Sequence, residues 1–511
     1  MKKHILNITT VFLLIFASSC DNYLDVNNDP NVLGDTDEPK ILLPTTEVGL
    51  ANTLMGWDLG FAGGYWSEYW TQSYTASQFK VLCEYEDGSV TSFENAYEEL
   101  TSGVLIDAKR ISELASENGE IGYAYISEAI SIFTWQVMTD LWGNIPYTEA
   151  LSGNDGVKSP NFDNAEDIYA DLEARIDALL ATDISTLPAI DVDFDFIFNG
   201  DLEKWEQFAN SLKLKLMMRQ SETSNFDINE VITFIESATF LTESAKIEGS
   251  EYWNDSQEGG RHPMREFEAG GAGFLSTNVI GCKTFIDYLN KNDDPRIDVL
   301  FTATGDDHEG AFFGDFDSKD DSDADGTDDE DEDYSEALFA GDTDIVIISS
   351  WEVNFFIAEA YARNGDPNTA KTYYDLGVTA SLAQNDIVDT SIVTTGYATW
   401  VTGTQEENIK QIAMQKWVAN ANYQHIESFI DRNRTKYPAV SEIDIKADRQ
   451  AADQNFPLGD LTISVNGREK TNGYLPVSPI YPTDVLNRNI NSPGQKTNLL
   501  EKIWWDQKTG K

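Results

Sequence analysis

The stretch 352–383, EVNFFIAEAYARNGDPNTAKTYYDLGVTASLA, decides the fold class. Within it Ala358, Tyr361, Gly365, Ala370 and Tyr374 fall at the small, aromatic, turn, small, aromatic spacing of a tetratricopeptide helical hairpin. Small side chains let two helices approach closely while the aromatic rings fill the groove between them. In residues 203–219, Trp205, Phe208, Ala209, Leu212 and Leu216 recur at helical spacing, Lys204, Lys213 and Lys215 face elsewhere, and Asp201 is placed to cap the first turn. Residues 123–141 carry another helical pattern through Ala129, Ile132, Phe133, Gln136 and Val137, stopped by Gly143 and Pro146. Strand signals are sparse and short, at 344–349 and 461–465. No Pro-rich or Gly/Ser-rich linker divides the chain. The expectation is a mostly α fold: a single large α-helical body with tetratricopeptide-like helical pairs, long decorated loops and few short strands.

The first twenty residues have the pattern of an export signal. Lys2 and Lys3 precede an apolar run from Ile5 to Phe16 that is too short to span a bilayer, and Ala17-Ser18-Ser19-Cys20 follows as a lipobox. Removal of residues 1–19 would leave Cys20 as the acylation site, with each buried CH₂ of its acyl chains contributing about 0.8 kcal/mol to membrane attachment. Residues 20–40 are polar, with Asn28-Asp29-Pro30, and are expected to form a lipidated tether, leaving 41–511 as the folded domain. No later segment is apolar enough to span a membrane.

The chain carries 88 acidic and 35 basic residues, a formal net charge of −53. Its leader holds two lysines and no acid, so leader removal takes −53 to −55. Such a field repels phosphate, which argues against nucleic acid and anionic lipid surfaces as partners. Apart from Cys20 only Cys83 and Cys282 remain, and they either pair or stay as buried thiols. Four histidines, with no H-E-x-x-H and no paired C-x-x-C, leave little for a zinc centre.

A series of stations runs along nearly the whole chain. It begins with Tyr23-Leu24-Asp25-Val26-Asn27 and Asp29-Pro30-Asn31, continues with TDLWGNIPYTEA at 139–150, and then Asn199-Gly200-Asp201 leading into Lys204-Trp205 and 209–214. Asp294-Pro295-Arg296, the helical pair at 352–381, Gln415-Lys416-Trp417, residues 432–435, residues 475–482 with Asn487 and Asn489, and Trp504-Trp505-Asp506 complete it. In content and order these resemble the SusD/RagB family of Bacteroidetes outer-membrane lipoproteins, most closely its SusD-like second branch. The pattern departs at Arg432-Asn433-Arg434, where paired arginines are usual, and in an acidic run near 320. The resemblance implies four tetratricopeptide-like helical pairs and a lid-like seat over a SusC-like TonB-dependent transporter at the cell surface. It also implies glycan captured on a loop-rich face of a protein that is not an enzyme.

A glycan binder needs flat aromatic faces for the C–H sides of sugar rings and planar polar groups for the hydroxyls. Residues 57–79 hold Trp57, Phe61, Tyr65, Trp66, Tyr69, Trp70, Tyr74 and Phe79. Phe61, Tyr65 and Tyr69 recur at helical spacing and suit a core, whereas Trp66, Trp70 and Tyr74 are the ligand candidates, with Gly60, Gly63 and Gly64 permitting a loop. A second candidate is Trp253, in a polar, turn-rich segment where packing is a poorer reason for it, with Asn254, Arg261 and Arg265 as hydroxyl partners. Trp400 is a weaker third. Trp142, Trp205, Trp417, Trp504 and Trp505 sit at structural stations and are expected in the core.

The acidic insert, at about 315–333, contains a calcium-loop spacing. Asp321, Asp323, Asp325, the Thr327 carbonyl, Asp329 and Glu332 occupy the oxygen positions and Gly326 the sharp turn, so Ca²⁺ is the expected ion; a plain solvated acidic run is the competing account. Two other functional classes remain open on the sequence. One is a secreted glycoside hydrolase acting through paired carboxylates, although 88 acids make candidate pairs unavoidable. The other is a scaffold whose helical repeats bind only proteins.

Overall fold

Helical periodicity becomes helix along most of the chain in the computed structural model, which describes residues 38–73, 76, 78–266, 274–316, 334–447 and 449–511. The longer helices are α1 (Pro39–Leu54), α2 (Leu59–Trp66), α3 (Ile106–Asn118), α4 (Ile121–Trp142), α5 (Ala165–Leu180) and α6 (Leu202–Arg219). They continue as α7 (Ile228–Ser237), α8 (Lys283–Lys291), α9 (Ser350–Arg363), α10 (Pro367–Gln384), α11 (Gln405–Asn420) and α12 (His425–Thr435). Consecutive partners α3 and α4, α5 and α6, α9 and α10, and α11 and α12 pack on one another, giving four helical pairs in chain order. Helix α1 starts at Pro39, so the last two residues assigned to the tether are already helical.

Local chemistry sets the ends. Asp201 accepts hydrogen bonds from the Glu203 and Lys204 amides, and Asp366 accepts them from Asn368 and Thr369 with Pro367 at the first helical position. Gly365, at φ 79°, makes the tight turn between α9 and α10 that a side chain would strain. Ala358 and Ala370 are fully buried at the crossing of that pair, and a Cβ on Gly377 would lie 2.7 Å from the Phe355 ring.

The strands form three antiparallel pairs: β1 (Trp70–Thr71) with β5 (Ile280–Gly281), β2 (Ile145–Pro146) with β3 (Phe162–Asp163), and β4 (Ala245–Ile247) with β6 (Ile345–Ile348). The predicted strand at 461–465 is instead a buried irregular segment with one bridge, Val440 to Leu461. Side chains take the place of a neighbouring strand: the Thr462 amide donates to Glu68 at 3.0 Å and the Ser464 amide to the Tyr85 hydroxyl at 3.2 Å.

Gly60, Gly63 and Gly64 lie inside α2 rather than in a loop. The bareness of Gly63 lets α2 press against α12, since a Cβ there would sit 2.5 Å from the Ile426 amide nitrogen, while a Cβ on Gly64 would sit 2.4 Å from the Trp70 ring. Gly63→Ala is expected to cost about 1–3 kcal/mol through overpacking, read as a lower urea midpoint, and an unchanged midpoint would refute the close-contact account.

Lys215 departs from the expectation that it faces away from the core. It is 2 % exposed, and its Nζ lies 3.1 Å from Glu352 and 2.8 Å from Glu427. It belongs to a buried ionic cluster to which α4 sends Asp140, α6 Lys215 and Arg219, α9 Glu352 and Glu359, α11 Lys416, and α12 Glu427, Asp431 and Arg434. The carboxylates on the facing helices are what make an inward lysine tolerable. Cys83 and Cys282 are buried and unpaired, and burial pushes both thiols well up.

Candidate functional site

The two aromatic stretches singled out in the sequence are joined through a file of rings. Strand β1 lies against β5, the Ser73 amide donates to the Thr277 carbonyl at 2.9 Å, and Gln72 Nε2 donates to Asn278 Oδ1 at 2.8 Å. From Trp70 a file of rings runs outward: Phe339 edge-on at 5.6 Å, His262 stacked on Phe339 at 5.8 Å, and Trp253 edge-on to His262 at 6.2 Å.

Burial divides the candidates along this file. Trp66 is 2 % exposed and Trp70 0 %, so neither offers a face to a ligand. The Trp66 indole donates to the Leu82 carbonyl at 3.1 Å and its ring packs between Phe93 and Phe429, while Trp70 is enclosed by Phe61, Tyr65, Phe339 and His425. The glycine-rich α2 comes so close to its neighbours that its aromatic residues fill the joint. Trp400 is likewise buried, against Tyr374 at 5.1 Å. Of the expected core tryptophans, Trp142, Trp205, Trp417 and Trp505 are buried and Trp504 is partly so. Tyr74, Cys20 and the calcium-loop residues Asp321, Asp323, Asp325, Thr327, Asp329 and Glu332 lie outside the described residues.

Trp253 stands at the outer end, half-buried, its indole N–H shielded from solvent and without a hydrogen-bond partner among the described residues. Around it the polar residues shape the loop. Asn254 Oδ1 accepts from the Ser256 amide at 3.0 Å and hydroxyl at 2.6 Å. Arg261 donates from Nε to the Asp255 carbonyl at 2.7 Å and from Nη1 to Glu266 at 3.0 Å, and Arg265 pairs with Asp255 at 2.9 Å. Tyr252 adds a second aromatic surface, stacked on Phe196 at 4.3 Å and 27°. Sequence reasoning missed that pair, because Phe196 comes from a distant loop; the alternation of Asp and Phe at 193–196 was the available signal. Burial pushes His262 down to about 3, so it serves as a neutral ring in the file.

Beneath β1 the chain turns at Glu68, at φ 55°. Its Oε2 accepts from the Thr284 hydroxyl at 2.8 Å and the Thr462 amide at 3.0 Å, and burial pushes its carboxyl up to about 8. The folded chain therefore keeps this proton up to about pH 8, whereas a free glutamate releases it near 4.5. Between those values the folded state binds the extra proton, so this group's contribution to stability falls as pH rises through the window. Glu68→Gln is expected to flatten that part of the stability–pH curve measured by urea unfolding; an unaltered slope would refute a retained proton.

A cleft of about 1040 Å³ opens beside α8, with Lys283, Asp287, Asp298, Glu309, Asp315 and Arg449 in its lining. Asp315 is clamped by Arg449, one contact being 2.9 Å. Among the described residues no group of three His, Cys, Asp or Glu side chains is arranged to hold a metal ion. Phe316, the last described residue before the acidic run, lies 4.6 Å beneath Lys80.

Four helical pairs, with long connecting segments that carry the aromatic file, define an α-helical repeat scaffold. The sequence profile of the SusD-like family, described as starch-binding and associating with the outer membrane, matches residues 35–457, and the chain belongs to that family. A SusD homologue from Bacteroides uniformis superimposes with a TM-score of 0.71 at 20 % identity, over 91 % of this chain and 99 % of its own. One from Bacteroides fragilis gives 0.69 at 19 % identity, over 93 % and 100 %. A chitin-binding SusD homologue from Flavobacterium johnsoniae gives 0.66 at 18 % identity, over 92 % and 98 %. At such identities the likeness speaks for the fold, which is the one the resemblance implied. No curated protein matches the chain.

Proposed function

We propose that this protein is a surface glycan-binding lipoprotein that captures oligo- or polysaccharide and delivers it to a SusC-like TonB-dependent transporter without cutting it. Family membership across residues 35–457 carries the reading. The indole of Trp253, with Tyr252 beside it, supplies the kind of surface on which a pyranose C–H face rests, and Asn254 and Arg261 lie in the same loop. Acylated Cys20 would hold the protein at the outer membrane, and none of the described helices is long and apolar enough to cross a membrane. We also propose that the acidic run holds Ca²⁺ through Asp321, Asp323, Asp325, Thr327, Asp329 and Glu332, on the strength of its spacing.

Affinity-gel electrophoresis over a panel of plant, microbial and marine polysaccharides tests the central reading. Retardation by at least one of them, without release of reducing ends, is the expected result. Migration unaffected by every polysaccharide, or hydrolysis by the purified protein, would overturn it.

A further inference from the structure

The aromatic interior continues on the other side of Trp70. Its neighbour Tyr69 stacks on Trp417 at 6.1 Å and 20°, Trp417 meets Tyr288 at 5.6 Å, and Tyr288 meets Tyr397 edge-on at 5.8 Å. This second file ends in its own cleft, about 460 Å³, where α8, the 397–403 loop and α11 come together. That volume falls in the range of roughly 300–1,000 Å³ typical of small-molecule sites.

Three features give the cleft a chemistry. The Tyr288 ring is half-buried, and its hydroxyl has no hydrogen-bond partner among the described residues. A phenol hydroxyl at a cleft wall that makes no internal hydrogen bond is open to exchange one with a ligand hydroxyl. Tyr397 is held in place, its hydroxyl donating to Asp294 at 2.5 Å, so its ring is a fixed wall. Lys410, exposed at the mouth, forms no ion pair among the described residues and lies 5.8 Å from the Tyr437 ring. Charge then narrows the ligand. Glu407 shares the mouth, its carboxylate turned onto the Thr404 amide at 2.7 Å and hydroxyl at 2.8 Å, and Asp460 lies within the field of Lys410. There is no positive surplus to draw an anion into a chain of net charge −53.

We propose that this cleft is a second saccharide subsite, which takes one neutral pyranose with its C–H face on the Tyr288 ring and its hydroxyls on the Tyr288 hydroxyl and the Lys410 ammonium. The proposal rests on the glycan-binding reading and adds a separate point of attachment. Two weak contacts on one polymer chain raise its hold through effective concentration rather than through new contacts at either place.

Saturation-transfer NMR on the mature chain, with maltotriose, cellotriose and chitotriose as neutral probes and tri-galacturonate as the anionic one, tests it. In Trp253→Ala, at least one neutral trisaccharide is expected to keep a transfer signal, and that signal is expected to fall fivefold or more on adding Tyr288→Phe and Lys410→Gln. Both added changes spare the packing, and an unchanged melting curve verifies it. A wild-type signal that vanishes entirely in Trp253→Ala would remove the second subsite while leaving glycan binding intact. Absence of signal from every sugar in the wild type would sink both. Preference for tri-galacturonate, or indifference to Tyr288→Phe with Lys410→Gln, would overturn the assignment.

Discussion

Arg219→Met is expected to lower the free energy of unfolding by about 3–5 kcal/mol, because a buried ion pair that loses one partner leaves uncompensated charge behind. Arg219 is fully buried; its Nε lies 2.9 Å from Asp140 and its Nη2 2.7 Å from both oxygens of Glu427. Methionine restores much of the volume and none of the charge. Asp140 would retain the indole N–H of Trp505 at 2.8 Å and Glu427 would retain Lys215, so the loss is bounded. Against a typical total of about 5–15 kcal/mol this still removes a large fraction, visible as a shifted urea midpoint. A change below about 1 kcal/mol would mean that the cluster is not what joins α4, α6 and α12. Despite the penalty of burial, Arg219 and the neighbouring lysines hold Glu427 well below the usual carboxylate range, and Arg434 and Arg363 do the same for Glu359. Their stabilisation is present above the ordinary glutamate value and is lost as pH falls through the depressed folded values, a slope opposite in sign to that of Glu68.

The second large effect separates binding from folding. Trp253→Ala is expected to weaken retention by the cognate polysaccharide at least tenfold, about 1.4 kcal/mol or more, as the loss of a tryptophan anchor commonly does. Trp66→Ala and Trp70→Ala are expected to cost about 3–5 kcal/mol in stability, as large-to-small changes in a packed core do. Affinity gels and urea curves on the three variants would distinguish the roles. Full retention with Trp253→Ala would remove the loop from the binding face, and native stability in Trp70→Ala would contradict its enclosure.

The helical pairs were legible because a periodic apolar stripe and a cap are local signals; Asp201, Gly365 and the alanines of α9 and α10 each announce their place within a few residues. What failed depends on partners far along the chain. Nothing near Lys215 in sequence reveals that Glu352 and Glu427 wait for it inside. Trp66 and Trp70 looked available because glycines surrounded them, yet Gly63 admits α12, a contact more than 350 residues away (Gly63 to Ile426), and Gly64 admits the Trp70 ring itself. The predicted strand at 461–465 had the right burial and the wrong backbone, since the amides of Thr462 and Ser464 go to Glu68 and Tyr85. Trp253 was recognisable as an aromatic residue in a polar turn, whereas its link to Trp70 through His262 and Phe339 is purely three-dimensional.

Because Cys83 and Cys282 are enclosed and unjoined, neither needs an oxidant to reach its native place. Protein refolded with or without a thiol reductant should reach the same urea midpoint, and a maleimide dye should stay inert towards both sulfurs until the body opens. These two residues thus amount to an internal clock: the pace of labelling under native conditions reports how often the packing around β5 and residues 80–83 opens.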